Sequence, residues 1–233
     1  MKKILLIIDP QNDFVDPKGS LYVNGAEEVI KNIADYVKNK GSEYDEVVVT
    51  LDTHRRIHIS LQNGWTHKPK PFTTIVKEVG DNLELTATNL EFVYYGIGIK
   101  IWPDHCIIGT WGHCIPEVLV NALGDWEVEK RRGVFYQRKG ENCGYEAYSA
   151  LTTEILTGVK PEWRTWNDVR TIDICGFCKD ICVAETVKDL STRSRFDGEI
   201  HLFSNYCATL DPNSENLKKL NELEKTGKIK ITV

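Results

Sequence analysis

Val169-Arg170-Thr171-Ile172-Asp173-Ile174-Cys175-Gly176-Phe177-Cys178-Lys179-Asp180-Ile181-Cys182-Val183 is the stretch whose reading decides the fold. Its apolar run to Cys175 reads as a buried strand and Gly176 as a turn. Asp180–Leu190 follows as a helix with Val183, Val187 and Leu190 on one face. The same change of period recurs on both sides. Upstream, Lys3–Ile8 is a buried strand bounded by Asp9-Pro10. Residues 26–40 put Val29, Ile30, Ile33, Ala34 and Val37 at helical spacing, with Gly41 as the stop. Glu46–Leu51 reads as a second strand. The apolar spacing of Ile115–Leu123 predicts a helix, and Trp126–Glu129 the strand after it. Val134–Tyr136 is a further apolar stretch, and Tyr145–Leu156 reads as a helix. Downstream come a strand at Glu199–Ser204, a polar helix around 212–225 and a last strand within Lys228–Val233.

Repeated strand–helix alternation predicts an α/β protein whose parallel sheet is covered by helices on both faces. About six strands fit the length. No linker or internal repeat divides the chain, so a single domain, 1–233, is expected. Residues about 60–102 interrupt it as a long loop insertion with little periodicity, apart from a helix near 86–95. Loops of that length inside a compact domain are commonly functional.

Composition narrows the class. The 233 residues carry 29 Lys+Arg against 34 Asp+Glu, a formal charge of −5, and 41% are hydrophobic. Such a chain is globular rather than wholly disordered. Its net acidity argues against nucleic acid as a partner, and Lys130-Arg131-Arg132, beside Glu127 and Glu129, reads as a solvated face. No apolar stretch approaches the ~18–20 residues of a membrane span. Met1-Lys2-Lys3 and the apolar run behind it imitate a signal peptide, but the run stops at Asp9-Pro10 and reads as a strand. Seven cysteines, an odd count, fit reduced thiols and a cytoplasmic location.

Ligands of open parallel sheets bind beyond the carboxyl ends of the strands. Asp9 follows the first strand, Asp52 and His54 the second, Lys139 the Val134–Tyr136 stretch, and Cys182 the strand ending at Cys175. Four reactive side-chain types are thereby expected on one sheet edge. A thiol in the first helical turn faces free N–H groups and the positive dipole end, which favour thiolate. Cys175 belongs to the strand and reads as a core thiol. Cys175-x-x-Cys178 with Cys182 is also a redox or metal spacing, though a fourth ligand is lacking. Asp52 and His54, one residue apart in extended chain, point to the same side and can grip one ion, with His105 as a third ligand. Zinc, iron and manganese all accept such donors. His58 is either a further ligand or a hydrogen-bonding residue at the pocket rim. His67, His113 and His201 have no evident partners. A carboxylate such as Asp9 can take a thiol proton, and an ammonium such as Lys139 can keep that carboxylate ionised.

With these residues in view, a family resemblance is clear. Asp9-Pro10-Gln11-Asn12-Asp13-Phe14 resembles the D-x-Q-N-D-F opening of the isochorismatase-like cysteine hydrolases. Gly176-x-x-x-Asp180-x-Cys182-Val183 resembles their nucleophile segment, and Lys139-Gly140 with Tyr148-Ser149-Ala150 their K-G…Y-S block. Asp52-x-His54 and Trp102-Pro103-x-His105-Cys106-x-x-Gly109-Thr110-x-Gly112 are similar to the nicotinamidase branch. The resemblance implies a three-layer α/β/α sandwich with a six-stranded parallel sheet and an Asp9–Lys139–Cys182 triad. It also implies a cis peptide just before Cys178, which aims the backbone N–H groups of Cys178 and Cys182 at an oxyanion. A divalent ion, zinc first, would sit on Asp52, His54 and His105 and take a pyridine nitrogen, with Phe14 and Trp102 as pocket walls. The implied activity is hydrolysis of nicotinamide to nicotinate and ammonia in NAD salvage, and self-association is common among the family's members. Another heteroaromatic amide is the alternative substrate, and a thiol redox or cluster protein using Cys175, Cys178 and Cys182 the alternative class. The chain departs from the pattern at Cys178, where Ala or Thr is usual, at Lys179 for Thr, and at Leu61 and Leu151 for Phe.

Overall fold

The computed structural model describes residues 1–76, 98–152, 168–192, 194 and 196–232. Strands β1 (Lys2–Ile8), β2 (Glu46–Asp52), β5 (Phe135–Lys139), β6 (Val169–Gly176), β7 (Glu199–Cys207) and β8 (Lys230–Thr232) form one sheet. Its order is β5-β2-β1-β6-β7-β8, and every pair is parallel. Side chains of a strand alternate between the two faces, yet Ile4, Leu5, Leu6, Ile7 and Ile8 are all fully buried. Only a central strand covered on both faces can bury such a run.

The cover comes from α2 (Ala26–Lys40) and α3 (Glu117–Lys130), which pack on each other, and from α4 (Ala184–Thr192) and α5 (Glu215–Lys225), which do the same. Helix α2 buries Ile30, Ile33, Ala34 and Val37, carries Glu27 and Glu28 in its first turn, and has Lys38 and Lys40 in its last. Both charge sets complement the helix dipole. Short helix α1 (Asn12–Val15) follows β1 at once. The three-layer α/β/α sandwich with a six-stranded parallel sheet is thus the observed fold, and no helix among the described residues is long and apolar enough to cross a membrane.

Two expectations need correction. Trp126–Glu129 is not a strand but the last turns of α3. Leu119, Ala122, Leu123 and Trp126 are all buried on that helix, so the helical period continues through Trp126, whose indole N–H donates to the Gly41 carbonyl at 2.9 Å. Tyr145–Leu156 is not helical over 145–152. There the backbone is bonded elsewhere: the Ala150 N–H donates to Thr186 Oγ1 at 3.0 Å, and the Ala150 carbonyl accepts from Gln137 Nε2 at 2.7 Å. The rest of that helix, and the one near 86–95, lie outside the described residues.

The interrupting segment contains a two-stranded antiparallel ribbon, β3 (Thr74–Ile75) with β4 (Ile99–Lys100). Ile59, Trp65, Ile75, Ile99 and Ile101 form an apolar cluster there, apart from the main core. Trp102, the next residue, already belongs to the main core.

Candidate active site and metal centre

Register places the site. Asp52 and Lys139, the last residues of β2 and β5, are paired neighbours, and Ile8 at the end of β1 pairs with Gly176 at the end of β6. The chain therefore presents Asp9, Asp52, Lys139 and the turn after β6 on one sheet edge. The Lys139 ammonium, with its side chain 1% exposed, lies 2.9 Å from Asp9 Oδ2, 3.1 Å from Asp52 Oδ1 and 3.4 Å from Cys182 Sγ. Its three donors are matched by two carboxylates and a thiol. Thr50 completes the Asp9 site: its hydroxyl accepts from the Asp9 N–H at 3.0 Å and donates to Asp9 Oδ1 at 2.6 Å. Asp9 itself stands at φ 46, a left-handed conformation rare for a non-glycine residue.

Cys182 sits in a wide turn, Lys179–Val183, that leads into α4; it is closed by the Val183 N–H donating to the Cys178 carbonyl at 3.2 Å. The Phe177–Cys178 peptide is cis. Asp180 anchors the turn, its carboxylate accepting from the Leu210 and Asp211 N–H groups at 2.9 and 3.0 Å. Burial pushes the Cys182 thiol well up, and Lys139 only partly opposes it. Desolvation thus opposes the thiolate bias expected from the helix start. Burial raises Asp9 too, against the pull of Lys139. At Asp52 burial acts in the same direction, but His54 and Lys139 overcome it and hold the carboxyl well below its usual range. Lys139, despite burial, is held well above its ordinary value by Asp52 and Asp9.

Asp52, His54 and His105 offer ligand atoms all within 4.8 Å of one another. His54 Nδ1 faces the Gly140 carbonyl at 3.2 Å, and His105 Nδ1 faces the Pro103 carbonyl at 2.8 Å. Those carbonyls call for N–H on both Nδ1 atoms, so each Nε2 is left as a lone pair. Both lone pairs point at Asp52 Oδ2, at 3.1 and 3.2 Å. Burial disfavours a charged His54, yet Asp52 prevails and raises that ring to about 9. Three acceptors converging at that spacing fit a divalent ion, with outer carbonyls fixing the ring tautomers. Gly140 shapes the same spot: at φ +78, a Cβ on it would stand 2.7 Å from His54 Cε1.

His58 is not at a rim. It is fully buried, with Nδ1 2.7 Å from Ser60 Oγ and Nε2 3.1 Å from the Tyr145 carbonyl. Its ring lies 4.3 Å from that of His54, and His54, His58 and Glu146 form a second group with metal-ligand spacing. Neither group contains a thiol, and Cys175, buried in the core, does not join Cys178 and Cys182 around the pocket. His113 and His201 do have partners. His113 Nε2 lies 2.9 Å from Thr53 Oγ1, and His201 Nδ1 lies 2.9 Å from Asp173 Oδ1. His67 stacks edge-on against Trp65.

A pocket opens on this constellation. Phe14, Trp102, His105, Asp52, Cys178 and Cys182 are among its walls, and so are Glu146 and Tyr148, which sequence reasoning passed over as site residues. Gln11 was also missed. Its side-chain oxygen accepts from the Asp52 N–H at 2.7 Å, and its amide donates to the Asp52 and His113 carbonyls at 2.8 and 3.0 Å. The signal was its place two residues after Asp9, at the same strand end.

Fold and pocket together define an isochorismatase-like α/β hydrolase. The chain is 28% identical to a nicotinamidase of Saccharomyces cerevisiae over 98% of both chains. It is 30% identical to a nicotinamidase of Schizosaccharomyces pombe, over 78% of this chain and 73% of that one. The crystal structure of the yeast nicotinamidase bound to the inhibitor nicotinaldehyde superposes with a TM-score of 0.73 at 25% identity, covering 99% of each chain. A pyrazinamidase of Pyrococcus horikoshii in complex with zinc shares the fold, with a TM-score of 0.65 at 21% identity over 100% and 99% of the two chains. No family model matches the sequence. On these likenesses the chain belongs to the nicotinamidase family.

Proposed function

We propose that this chain is a nicotinamidase, hydrolysing nicotinamide to nicotinate and ammonia through a Cys182 thioester. The observation that carries the reading is the Lys139 ammonium, within 2.9 Å of Asp9 Oδ2 and 3.4 Å of Cys182 Sγ at a pocket also walled by Asp52 and His105. Asp9 takes the thiol proton as Cys182 attacks the carboxamide carbon. The backbone N–H groups of Cys178 and Cys182 hold the tetrahedral oxyanion. Asp9 then returns the proton to the departing ammonia, leaving the thioester. A water that gives its proton to Asp9 attacks the thioester carbon, the C–S bond breaks as Asp9 returns that proton to the Cys182 sulfur, and nicotinate leaves. Lys139 keeps Asp9 ionised and in place. Phe14 and Trp102 flank the flat ring.

Asp52, His54 and His105 would hold one divalent ion, a borderline Lewis acid suited to a pyridine nitrogen. Zinc is the ion proposed, supported by the zinc complex of the Pyrococcus horikoshii pyrazinamidase; iron or manganese also suits the donors. The proposed role is in NAD salvage, and we read the chain as a single 1–233 domain working in the cytoplasm, with the self-association that the family resemblance implies. Ammonia release from nicotinamide, measured alongside metal analysis of the purified protein, tests the proposal. Absence of ammonia from metal-loaded, folded protein would overturn it.

A further inference from the structure

Phe72 carries two features unusual for a large apolar residue. It is a large aromatic residue 58% exposed to solvent, and its backbone stands at φ 65. Bulky residues avoid that region unless their surroundings hold them there. Among the described residues, two contacts hold Phe72. Its N–H donates to the Ile101 carbonyl at 2.6 Å, beside the β3–β4 ribbon, and its ring stands edge-on to Trp102 with centroids 6.1 Å apart at 86°. Trp102 is gripped from other sides as well. Its indole N–H donates to the Tyr148 hydroxyl at 3.1 Å, the Lys100 ammonium lies 4.8 Å from its ring centroid, and its backbone N–H donates to the Ser60 carbonyl at 2.7 Å. Trp102 is the residue at which the small apolar cluster of the ribbon meets the main core and the pocket.

We infer that Phe72 is a positioning residue for substrate: it holds the Trp102 indole as a pocket wall and thereby sets affinity for the aromatic ring. The β3–β4 ribbon and the apolar cluster of Ile59, Trp65, Ile75, Ile99 and Ile101 then act as a bracket for that wall. An edge-to-face contact restricts the tilt of the indole without itself meeting the ligand. Its loss loosens ground-state and transition-state binding alike, which appears in KM and not in kcat. The inference rests on the nicotinamidase reading.

The test compares Phe72→Ala and Phe72→Tyr with the wild-type enzyme on nicotinamide, with thermal unfolding of each. Phe72→Ala is expected to raise KM by about threefold to tenfold with kcat held within about twofold. Phe72→Tyr, which keeps the ring, restores the wild-type KM, and the melting temperatures agree because the side chain is exposed. An unchanged KM in Phe72→Ala overturns the inference. So does a rise in KM that comes with a lowered melting temperature or that Phe72→Tyr fails to rescue, since either marks a structural role. A folded, metal-loaded wild-type enzyme inactive on nicotinamide overturns the nicotinamidase reading and this inference with it. Activity with an unaltered KM in the alanine variant overturns this inference alone.

Discussion

Two buried acidic clusters lie in the same sheet and are built on opposite principles. Asp173 in β6, 1% exposed, is answered on both oxygens: Tyr44 donates at 2.6 Å, the Lys3 ammonium lies at 3.0 Å and His201 Nδ1 at 2.9 Å. Lys3 and His201 also keep contact with water, at 33% and 22% side-chain exposure. At the carboxyl end of the sheet, Asp9, Asp52, Lys139 and Cys182 are all 6% exposed or less, and two carboxylates share one ammonium. The first arrangement neutralises a charge and lets it reach solvent. The second keeps its charges dry and against one another, so that protons can pass between neighbouring groups.

The comparison breaks first at the thiol. Cys182→Ala and Asp9→Asn are expected to lower turnover by about 10^4-fold or more while the protein stays folded. Cys175→Ala should retain activity in its folded fraction. If Cys175→Ala silences a folded enzyme and Cys182→Ala does not, the two thiols have been assigned the wrong roles. Lys139→Met comes next. It strands two buried carboxylates, so denaturant melts should show a loss of about 3–5 kcal/mol together with the loss of activity. A stable Lys139→Met protein would mean the carboxylates had other compensation.

Metal removal probes the neighbouring donors. Chelation should cut nicotinamide hydrolysis by about 100-fold or more, with recovery on adding divalent metal. Benzamide, which lacks the ring nitrogen, should be a far poorer substrate. Equal rates on both amides after verified metal removal would end the metal-anchored reading. A smaller effect is expected at the other cluster: Tyr44→Phe should cost about 1–2 kcal/mol in stability and leave kcat/KM alone. The gentlest probe is pH. Asp9 accepts a proton only when ionised, and burial raises its pKa above the ordinary 3.8. Activity should therefore fall, as pH is lowered, at a higher pH than an ordinary aspartate would give. A kcat/KM profile flat down to that value would remove Asp9 as the base.

The strand-end residues were legible because a strand's last residue has a fixed address in a parallel sheet. Asp9, Asp52 and Lys139 needed only the apolar runs before them. Residues defined by long-range partners were not legible. Gln11 grips the backbone of Asp52, His113 meets Thr53, and Tyr148 meets Trp102, each across a separation in sequence that periodicity cannot read. The non-helical stretch after Tyr145 is the same lesson in the backbone, since Ala150 bonds to Thr186 and Gln137 rather than to its own turn. Helix α3 ran past its expected end because its buried apolar stripe, Leu119, Ala122, Leu123 and Trp126, continues at helical spacing. The depth of burial at Cys182, which raises the thiol against the local dipole, cannot be read from its neighbours in the chain.

Gly140 has a wider consequence. It follows Lys139 directly, so one peptide unit joins the lysine that touches the thiol to the carbonyl that orients the His54 ring. The pairing of β5 with β2 then works as a single ruler for two chemistries. A slip of that register by one residue would carry the ammonium off Asp9 and the carbonyl off His54 in the same movement. Thiol activation and ion binding cannot be tuned independently by shifting this strand. Any relative that re-spaces one of them has to rebuild the other.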